Sequence, residues 1–435
     1  MRQKGQAVVK TKTQTLNART VAVQLLSKIT LDGKLMAELT KLPDFKALPA
    51  ADRARAQRLA LDTLRGLERI DRILDKFMSK KPPDPIWNIL RVASYGLCTG
   101  AAAHGVVNEA VNTIAKDRKF SKMKGLANAV LRKVATQGPE QWAILRPSRL
   151  PRWLRDPLKE AYGAEVVSAI EKVQANLPPV DLTPKSEASA QELADTLGGE
   201  VLLGGSVRVQ SAGQISKLAG FEQGDWWVQD AAAALAVRLL GGLEGKTALD
   251  LCAAPGGKTL QLCSAGAEVT AVDVSEHRLK RLNENLERVN FEAEIICADA
   301  FSVSDRDFDI VLLDAPCSAT GTMRRHPDLP YAKTGDGFRE LFSLQADLLD
   351  HASTLVKPDG QFLYCTCSLL PDEGEVQLEA FLKRNTAFEL DPRIFDNPIV
   401  RPEWIEDNLG IRLRPDFLLD AGGMDGFFIS LLRRK

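Results

Sequence analysis

The sequence predicts a doubly wound α/β domain, preceded by an all-α domain and a small α+β connector. Three observations carry that prediction. Apolar residues in the first third recur at helical spacing, with no strand-like alternation between them. From Ala231 onward, apolar runs of strand length alternate with helical stretches, the pattern of a parallel sheet with crossover helices. Between the two lies a stretch rich in turn residues. The domains are therefore expected at residues 1–140, 141–230 and 231–435.

The helical reading rests on Leu61, Leu64, Leu67, Ile70, Ile73, Leu74 and Phe77 within Ala51–Met78. Val107, Ala110, Val111 and Ile114 repeat the spacing, as do Leu126, Val130, Leu131 and Val134. Gly138-Pro139, Arg146-Pro147 and Pro151 then punctuate the chain and set a boundary near residue 140. In the connector, Asn176–Pro184 holds three prolines, and Gly198-Gly199 and Gly204-Gly205 bracket a short apolar run. The last domain offers strands at Thr247–Leu251, Glu268–Val272, Ala293–Cys297, Phe308–Leu313 and Gln361–Cys365. Helices are expected between them at Glu276–Arg288 and Phe342–Leu355, the latter stopped by Lys357-Pro358-Asp359-Gly360.

Composition excludes several classes. At 435 residues the chain is long enough for about three domains. Its 57 basic and 57 acidic residues balance, so any nucleic-acid contact must use a local patch. Seven cysteines, an odd number without a CxxC pair, form neither a secreted disulfide framework nor a usual zinc site. Met1–Lys12 is basic but lacks the apolar core of a signal peptide, and Val92–Val107 is too short to span a membrane. A reducing cytoplasm, free thiols and no membrane contact are expected.

The strand Thr247–Leu251 runs into Cys252-Ala253-Ala254-Pro255-Gly256-Gly257-Lys258-Thr259 and then a helix, an arrangement that brings backbone close to a ligand. The dinucleotide fingerprint is absent. The phosphate loop GxxxxGK[ST] fails at one position, where Cys252 replaces its first Gly, and Asp309–Asp314 resembles a strand ending in a metal-binding Asp. An NTPase is therefore a rival. Asp273, Asp299 and Asp314 end the second, third and fourth strands of this domain, where a doubly wound sheet gathers its ligand. Any one of them would serve as a strand-end turn or helix cap. Together they would repel a triphosphate without metal and would accept a cationic nucleoside such as S-adenosylmethionine.

Cysteine is commonly an apolar filler, and Cys98, Cys263, Cys297 and Cys365 are expected to be core. Cys317 in Asp314-Ala315-Pro316-Cys317-Ser318 and Cys367 in Cys365-Thr366-Cys367-Ser368 lie past strand ends instead. No metal is expected there, because the four histidines are scattered. Beside a methyl donor, two thiols and a carboxylate suit one chemistry. A thiolate adding to carbon 6 of cytosine makes carbon 5 nucleophilic, and a second thiol assists expulsion of the enzyme afterwards.

The segments Leu249–Thr259, Asp314–Gly321 with Arg325-His326-Pro327-Asp328, and Tyr364–Glu375 resemble the RNA cytosine-5 methyltransferase family. The segments His104–Ala110 and Lys124–Arg132 resemble a NusB-like RNA-binding domain. The resemblance implies a Rossmann-like methyltransferase domain that modifies small-subunit ribosomal RNA with S-adenosylmethionine. Cys252–Lys258 would line the cofactor pocket, with Asp273 on the ribose, Asp299 near the adenine and Asp314 between cofactor and base. It also implies that Cys367 attacks and Cys317 serves release, an order the chemistry alone leaves open. The chain departs from the family at Pro179–Pro184, which lacks an Arg-x-Asn pattern, so RNA contacts from that strand do not carry over.

Charge clusters point to the RNA. Met1–Thr30 holds Arg2, Lys4, Lys10, Lys12, Arg19 and Lys28 and no acid. Lys116–Lys133 holds Lys116, Arg118, Lys119, Lys122, Lys124, Arg132 and Lys133 against Asp117 alone. A solvated helix face is the bland alternative, and a phosphate-contacting patch fits a catalytic domain with a polynucleotide substrate. A monomer is expected. The rivals to this reading are the NTPase, an assembly factor that has lost activity, and a DNA methyltransferase.

Overall fold

A computed structural model describes residues 17–210, 212–304 and 306–435, so that Arg2, Lys4, Lys10 and Lys12 lie outside the described residues. The chain divides into two units, one ending at Ser148 and one spanning Arg149–Lys435.

The first unit is helical throughout its described length, with its longer helices at Ala18–Asp32, Ala50–Arg65, Leu67–Asp75, Asp84–Cys98, Ala103–Lys116 and Lys124–Ile144. Asn17 opens the first by accepting a hydrogen bond from the Thr20 N–H, which satisfies one of the free donors of a helix start. Apolar faces spaced for helices meet in one core that includes Ile70, Ile73, Leu90, Ile114, Leu131 and Val134. The boundary expected near residue 140 is corrected, because Gly138 and Pro139 sit inside the last helix. Two contacts explain why tertiary packing outweighs the breaker residues. Gly138 packs so closely that a Cβ there would lie 3.0 Å from the Cys98 sulfur. One turn on, the Trp142 ring stands edge-on to Tyr95 at 5.9 Å and lies 4.1 Å beneath the Arg69 guanidinium.

The second unit opens with a helix, Arg152–Gln174, kinked at Gly163 (φ 82°, ψ 164°) and longer than the short elements expected in the connector. Four short strands follow: β1 (Val180–Pro184), β2 (Glu200–Val201), β3 (Val207–Val209) and β4 (Trp226–Val228). They pair antiparallel in the order β2-β3-β1-β4, with the helix Ala190–Leu197 contributing to their core. This α+β element belongs to the same unit as the larger sheet. An ionic tie explains the attachment: Asp181 accepts from the Ala231 N–H at 3.0 Å while its carboxylate takes two 2.7 Å bonds from buried Arg208.

The large sheet begins with β5 (Thr247–Leu251), β6 (Glu268–Asp273), β7 (Glu294–Cys297), β8 (Phe308–Asp314) and β9 (Val356–Thr366). These five are parallel and lie in the order β9-β8-β5-β6-β7, so the winding reverses between β5 and β8. Such a reversal opens a crevice at the carboxyl ends of the two strands. Alternate residues face opposite sides. Ala248, Ile310, Leu312 and Leu363 pack with the helix Ala231–Arg238, whereas Leu249, Val311, Leu313 and Phe362 pack with Phe338–Thr354 and Glu375–Arg384.

Two expectations for this domain are corrected. The sheet is not wholly parallel: β10 (Phe388–Leu390), β11 (Ile405–Glu406), β12 (Gly410–Leu413) and β13 (Phe427–Arg434) add an antiparallel half through β13 beside β9. A strand buried on both faces reads as an apolar run whatever its direction. The last strand, expected to start at Gln361, starts at Val356, so that Lys357–Gly360, which follows the end of the helix as expected, is a bulge within β9. Pairing jumps there from Phe308↔Val356 to Ile310↔Gln361, and Asp359 takes φ 59°.

Candidate functional site

At the reversal point, the chain leaves β5 through a tight loop. Cys252 adopts φ 63° and Gly256 φ 104°, and a Cβ on Gly256 would meet Leu282 at 2.1 Å. Only glycine fits a left-handed position that crowded. The loop delivers Lys258 to the floor of the crevice, where its ammonium pairs with Asp314 at 2.7 Å. Burial opposes that charge, but the Asp314 carboxylate, the neighbouring Cys365 and Asp250 outweigh it and hold the amine protonated. A lysine so engaged is not presented to a phosphate, which weighs against the NTPase rival.

Three further carboxylates end the strands, each used differently. Asp250 is wholly buried, and one oxygen accepts from the Thr259 hydroxyl at 2.6 Å. Among the described residues its other oxygen has no hydrogen-bond partner. Burial pushes its carboxyl up to about 7, partly offset by the Thr259 hydrogen bond. Asp273 accepts from the Ala254 N–H at 3.1 Å and the Ser275 N–H at 2.8 Å and pairs with Arg278, so it organises the loop it faces. Asp299 is exposed and caps the turn Ala300–Ser302 through the Phe301 N–H at 3.0 Å. That cap uses one of its oxygens.

The two strand-end cysteines meet. Cys317 follows β8 and Cys367 follows β9, adjacent parallel strands in which Asp314 stands opposite Cys365, and their sulfurs lie 3.3 Å apart. Backbone bonds fix the loops together: the Ala315 N–H donates to the Cys365 carbonyl and the Gly321 N–H to the Cys367 carbonyl, both at 3.0 Å. Gly321 is required because a Cβ there would lie 1.9 Å from the Gly426 carbonyl oxygen. The hydrogen bond with Cys367, burial and the charges of Cys367 and Glu373 push the Cys317 thiol well above its usual range. Near these loops, Arg325 is held by Asp425 at 2.8 Å.

The remaining cysteines divide differently from expectation. Cys98 and Cys365 are buried as expected, and burial raises both thiols. Cys263 is half-buried and packs against the core, whereas Cys297 is exposed, which corrects its reading as core. Cys297 ends β7, the edge strand of the parallel half, where one side has no neighbour. Cys252 is partly buried, and its thiol is pushed up to about 12 by burial and by Asp314, Asp273 and Asp250.

The sequence did not single out Glu373, Asp230 or Asp425, all buried around the thiol loops. Glu373 lies in Pro371-Asp372-Glu373-Gly374, whose composition reads as an exposed turn. In the first unit, Lys116, Arg118, Lys119, Lys122, Lys124, Arg132 and Lys133 are all exposed. Among the described residues none of these seven forms an ion pair with an acid.

Comparison with known proteins agrees with this division. Residues 237–433 match the family model described as 16S rRNA methyltransferase RsmB/F, and residues 16–136 match the NusB family. A protein named ribosomal RNA small subunit methyltransferase B from Pasteurella multocida is 33% identical, over 98% of this chain and 98% of its own. One of the same name from Pseudomonas putida is 34% identical, over 95% and 97%. Among solved structures, that of PH0851 is similar in fold over 97% of this chain and 99% of its own, with a TM-score of 0.71 at 22% identity. A methyltransferase homolog protein from Pyrococcus horikoshii covers 64% of this chain and 94% of its own, with a TM-score of 0.55 at 25% identity.

Proposed function

Because the chain belongs to the 16S rRNA methyltransferase RsmB/F family, we propose that it methylates carbon 5 of a cytosine in small-subunit ribosomal RNA, using S-adenosylmethionine. The observation that carries the chemistry is the contact of Cys317 and Cys367, 3.3 Å apart, above the crevice that holds Lys258 and Asp314. S-adenosylmethionine supplies a sulfonium-activated methyl group and a positively charged amino-acid end. The crevice fits such a group, because the orphaned Asp250 oxygen is a buried carboxylate acceptor beside the Cys252–Lys258 loop. The second oxygen of Asp299 and the carboxylate of Asp273 border the same strand ends.

Cys367 attacks carbon 6 of the cytosine as a thiolate, the form in which a cysteine is nucleophilic. Asp314 sits at the end of β8 between the Lys258 ammonium and the thiol loops, so it is placed to hydrogen-bond the pyrimidine edge as charge develops. Once carbon 5 carries its methyl group, its proton must leave before the enzyme thiol can be expelled. That proton passes to water while the bond from carbon 6 to Cys367 breaks, and Cys317, held as a neutral thiol 3.3 Å away, assists by hydrogen-bonding the departing Cys367 thiolate. A base in structured RNA must first be unstacked to reach these sulfurs.

The exposed cations of Lys116–Lys133 are the RNA-binding surface in this reading, since phosphates supply the counter-charge the protein withholds. No described helix is long and apolar enough to cross a membrane, and the enzyme acts where ribosomal RNA is made, in the cytoplasm. The test is bisulfite sequencing of small-subunit RNA from cells with and without the protein. A single cytosine that loses its bisulfite resistance with the gene is the expected result. An unchanged pattern, with ATP turnover by the purified protein, would restore the NTPase.

A further inference from the structure

Glu373 is a carboxylate that the proposed chemistry does not use, yet it is wholly buried. Among the described residues no Lys, Arg or His pairs with it. A buried, unpaired charge is costly unless hydrogen bonds surround it. Four donors do so. One oxygen accepts from the Ser318 N–H at 2.7 Å and the Gln345 side-chain amide at 3.0 Å. The other accepts from the hydroxyls of Ser318 and Ser368. Ser318 follows Cys317, and Ser368 follows Cys367, so a single carboxylate grips both thiol-bearing loops one residue beyond each sulfur.

The rest of Glu373 is anchored as firmly. Its carbonyl accepts from the Tyr364 hydroxyl at 2.9 Å and from Thr366 at 3.1 Å, both on β9. Thr320 closes the ring, 3.1 Å from each serine hydroxyl, and accepts from the Leu369 N–H at 2.9 Å. With its acceptor sites occupied, the carboxylate has no free position for substrate. It is a fixed point, not a reactant.

We propose that Glu373 is a positioning residue that holds the Cys317 and Cys367 loops in register, so that the two sulfurs stay in contact. This deepens the reading of a two-thiol methyltransferase and rests on it for its catalytic meaning. The charge of Glu373 also bears on Cys317, together with Cys367 and Tyr364, and the Lys333 ammonium ties down the same loop through the Ser318 carbonyl at 2.8 Å. Loss of the carboxylate therefore loosens the loops that carry the two sulfurs.

Phenylarsine oxide tests the geometry without RNA, because trivalent arsenic binds stably only where two thiols can ligate it together. The full-length protein should capture one equivalent through Cys317 and Cys367, a signal removed by Cys317→Ser. Glu373→Ala should weaken that capture about ten- to a hundredfold, as expected for losing hydrogen bonds to a charged group. Both thiols should still react with iodoacetamide. Glu373→Gln should retain most of the capture, since the two serine hydroxyls can rotate to accept from its amide. If Glu373→Ala does not fold, Ser318→Ala with Ser368→Ala decides in its place, with the same weakening expected. Wild-type capture by either folded variant would overturn the proposal. Covalent adduct formation with RNA should slow in parallel, at unchanged affinity for S-adenosylmethionine. Capture that depends on Glu373 in a protein that forms no RNA adduct would keep the positioning role and sink the methyltransferase chemistry.

Discussion

Basic side chains serve opposite ends in the two units. In the α/β unit, Arg208, Arg324 and Arg412 are almost wholly buried, and each is matched by acids: Asp181, Asp230 with Asp425, and Glu375. In the helical unit, the seven cations of Lys116–Lys133 are exposed, and among the described residues no acid pairs with them. A chain whose charges sum to zero thus contains a strongly basic surface, because its acids are spent partly inside the other unit. Buried pairs fix geometry. The unmatched cations remain available to a polyanion, and the net charge conceals both roles.

The sharpest break in that comparison comes at the centre of the ordered unit, at the thiols. Cys367→Ala should abolish both the covalent RNA adduct and methyl transfer. Cys317→Ala should still attack and methylate, then accumulate as a protein–RNA conjugate on a denaturing gel with labelled RNA. The two variants differ by a single sulfur 3.3 Å from its neighbour, so opposite outcomes cannot come from a shared folding defect. A conjugate accumulating in Cys367→Ala alone would reverse the roles while keeping the enzyme class.

Next in size is the loss of a buried partner. Arg208 gives two 2.7 Å bonds to Asp181 and a third, of 2.8 Å, to the Ala421 carbonyl. Removing Arg208 leaves buried Asp181 with only the Ala231 N–H and the more distant Arg324, at 4.0 Å, at a cost of up to about 3–5 kcal/mol. Arg208→Ala should therefore lower the denaturation midpoint of the α/β unit markedly, and replacing both partners with apolar residues of similar volume should restore most of it. An unchanged midpoint in Arg208→Ala would mean that the interior tolerates the lone carboxylate.

A pH dependence of comparable origin comes from Asp250. Its folded carboxyl, near 7 through burial, stands above the usual value of 3.8. The folded state therefore binds a proton more tightly than the unfolded chain does. This contribution to stability is fully present below about pH 4 and is lost as pH rises through about 7. The span is on the order of 4 kcal/mol as an upper bound. Urea titrations of wild type and Asp250→Asn across that window should differ in slope, the variant being flatter. Parallel slopes would place the proton elsewhere.

These effects differ in how far the sequence announced them. Strand ends are legible because an apolar run followed by Asp or Cys marks where a buried strand meets its crevice. Asp273, Asp314, Cys317 and Cys367 were found that way, and the structure gathers them at one end of the parallel strands. The direction of β13 was not legible, because an apolar run such as Phe427–Leu432 carries no sign of its neighbour's orientation. Gly138-Pro139 misleads for a related reason: Trp142, beneath the Arg69 guanidinium and edge-on to Tyr95, lies beyond the local signal and keeps the helix going. Glu373 was hidden because a carboxylate between Asp372 and Gly374 looks solvated until its four donors are in view. Long-range partners decide each of these cases, and pattern within a short window cannot supply them.

The smallest expected effect on stability tests the other side of the comparison. Lys119, Lys122 and Lys124 are exposed, and none forms an ion pair among the described residues, although the Lys119 ammonium lies 5.1 Å over the Phe120 ring. Replacing all three with Ala should leave the denaturation midpoint of the helical unit nearly unchanged, because surface positions without partners contribute little to folding. RNA binding should respond differently. Every lysine that no longer neutralises a phosphate should reduce the slope of log affinity against log salt by roughly 0.7–0.9. The triple variant would then show a slope shallower by about two, together with weaker affinity at low ionic strength. The sharper signature is convergence: wild type and variant should approach one another as salt rises, since the missing attraction is the one that salt removes. A parallel weakening at every salt concentration would point instead to a distorted fold. An unaltered slope would return Lys116–Lys133 to a solvated helix face and leave RNA recognition to other residues.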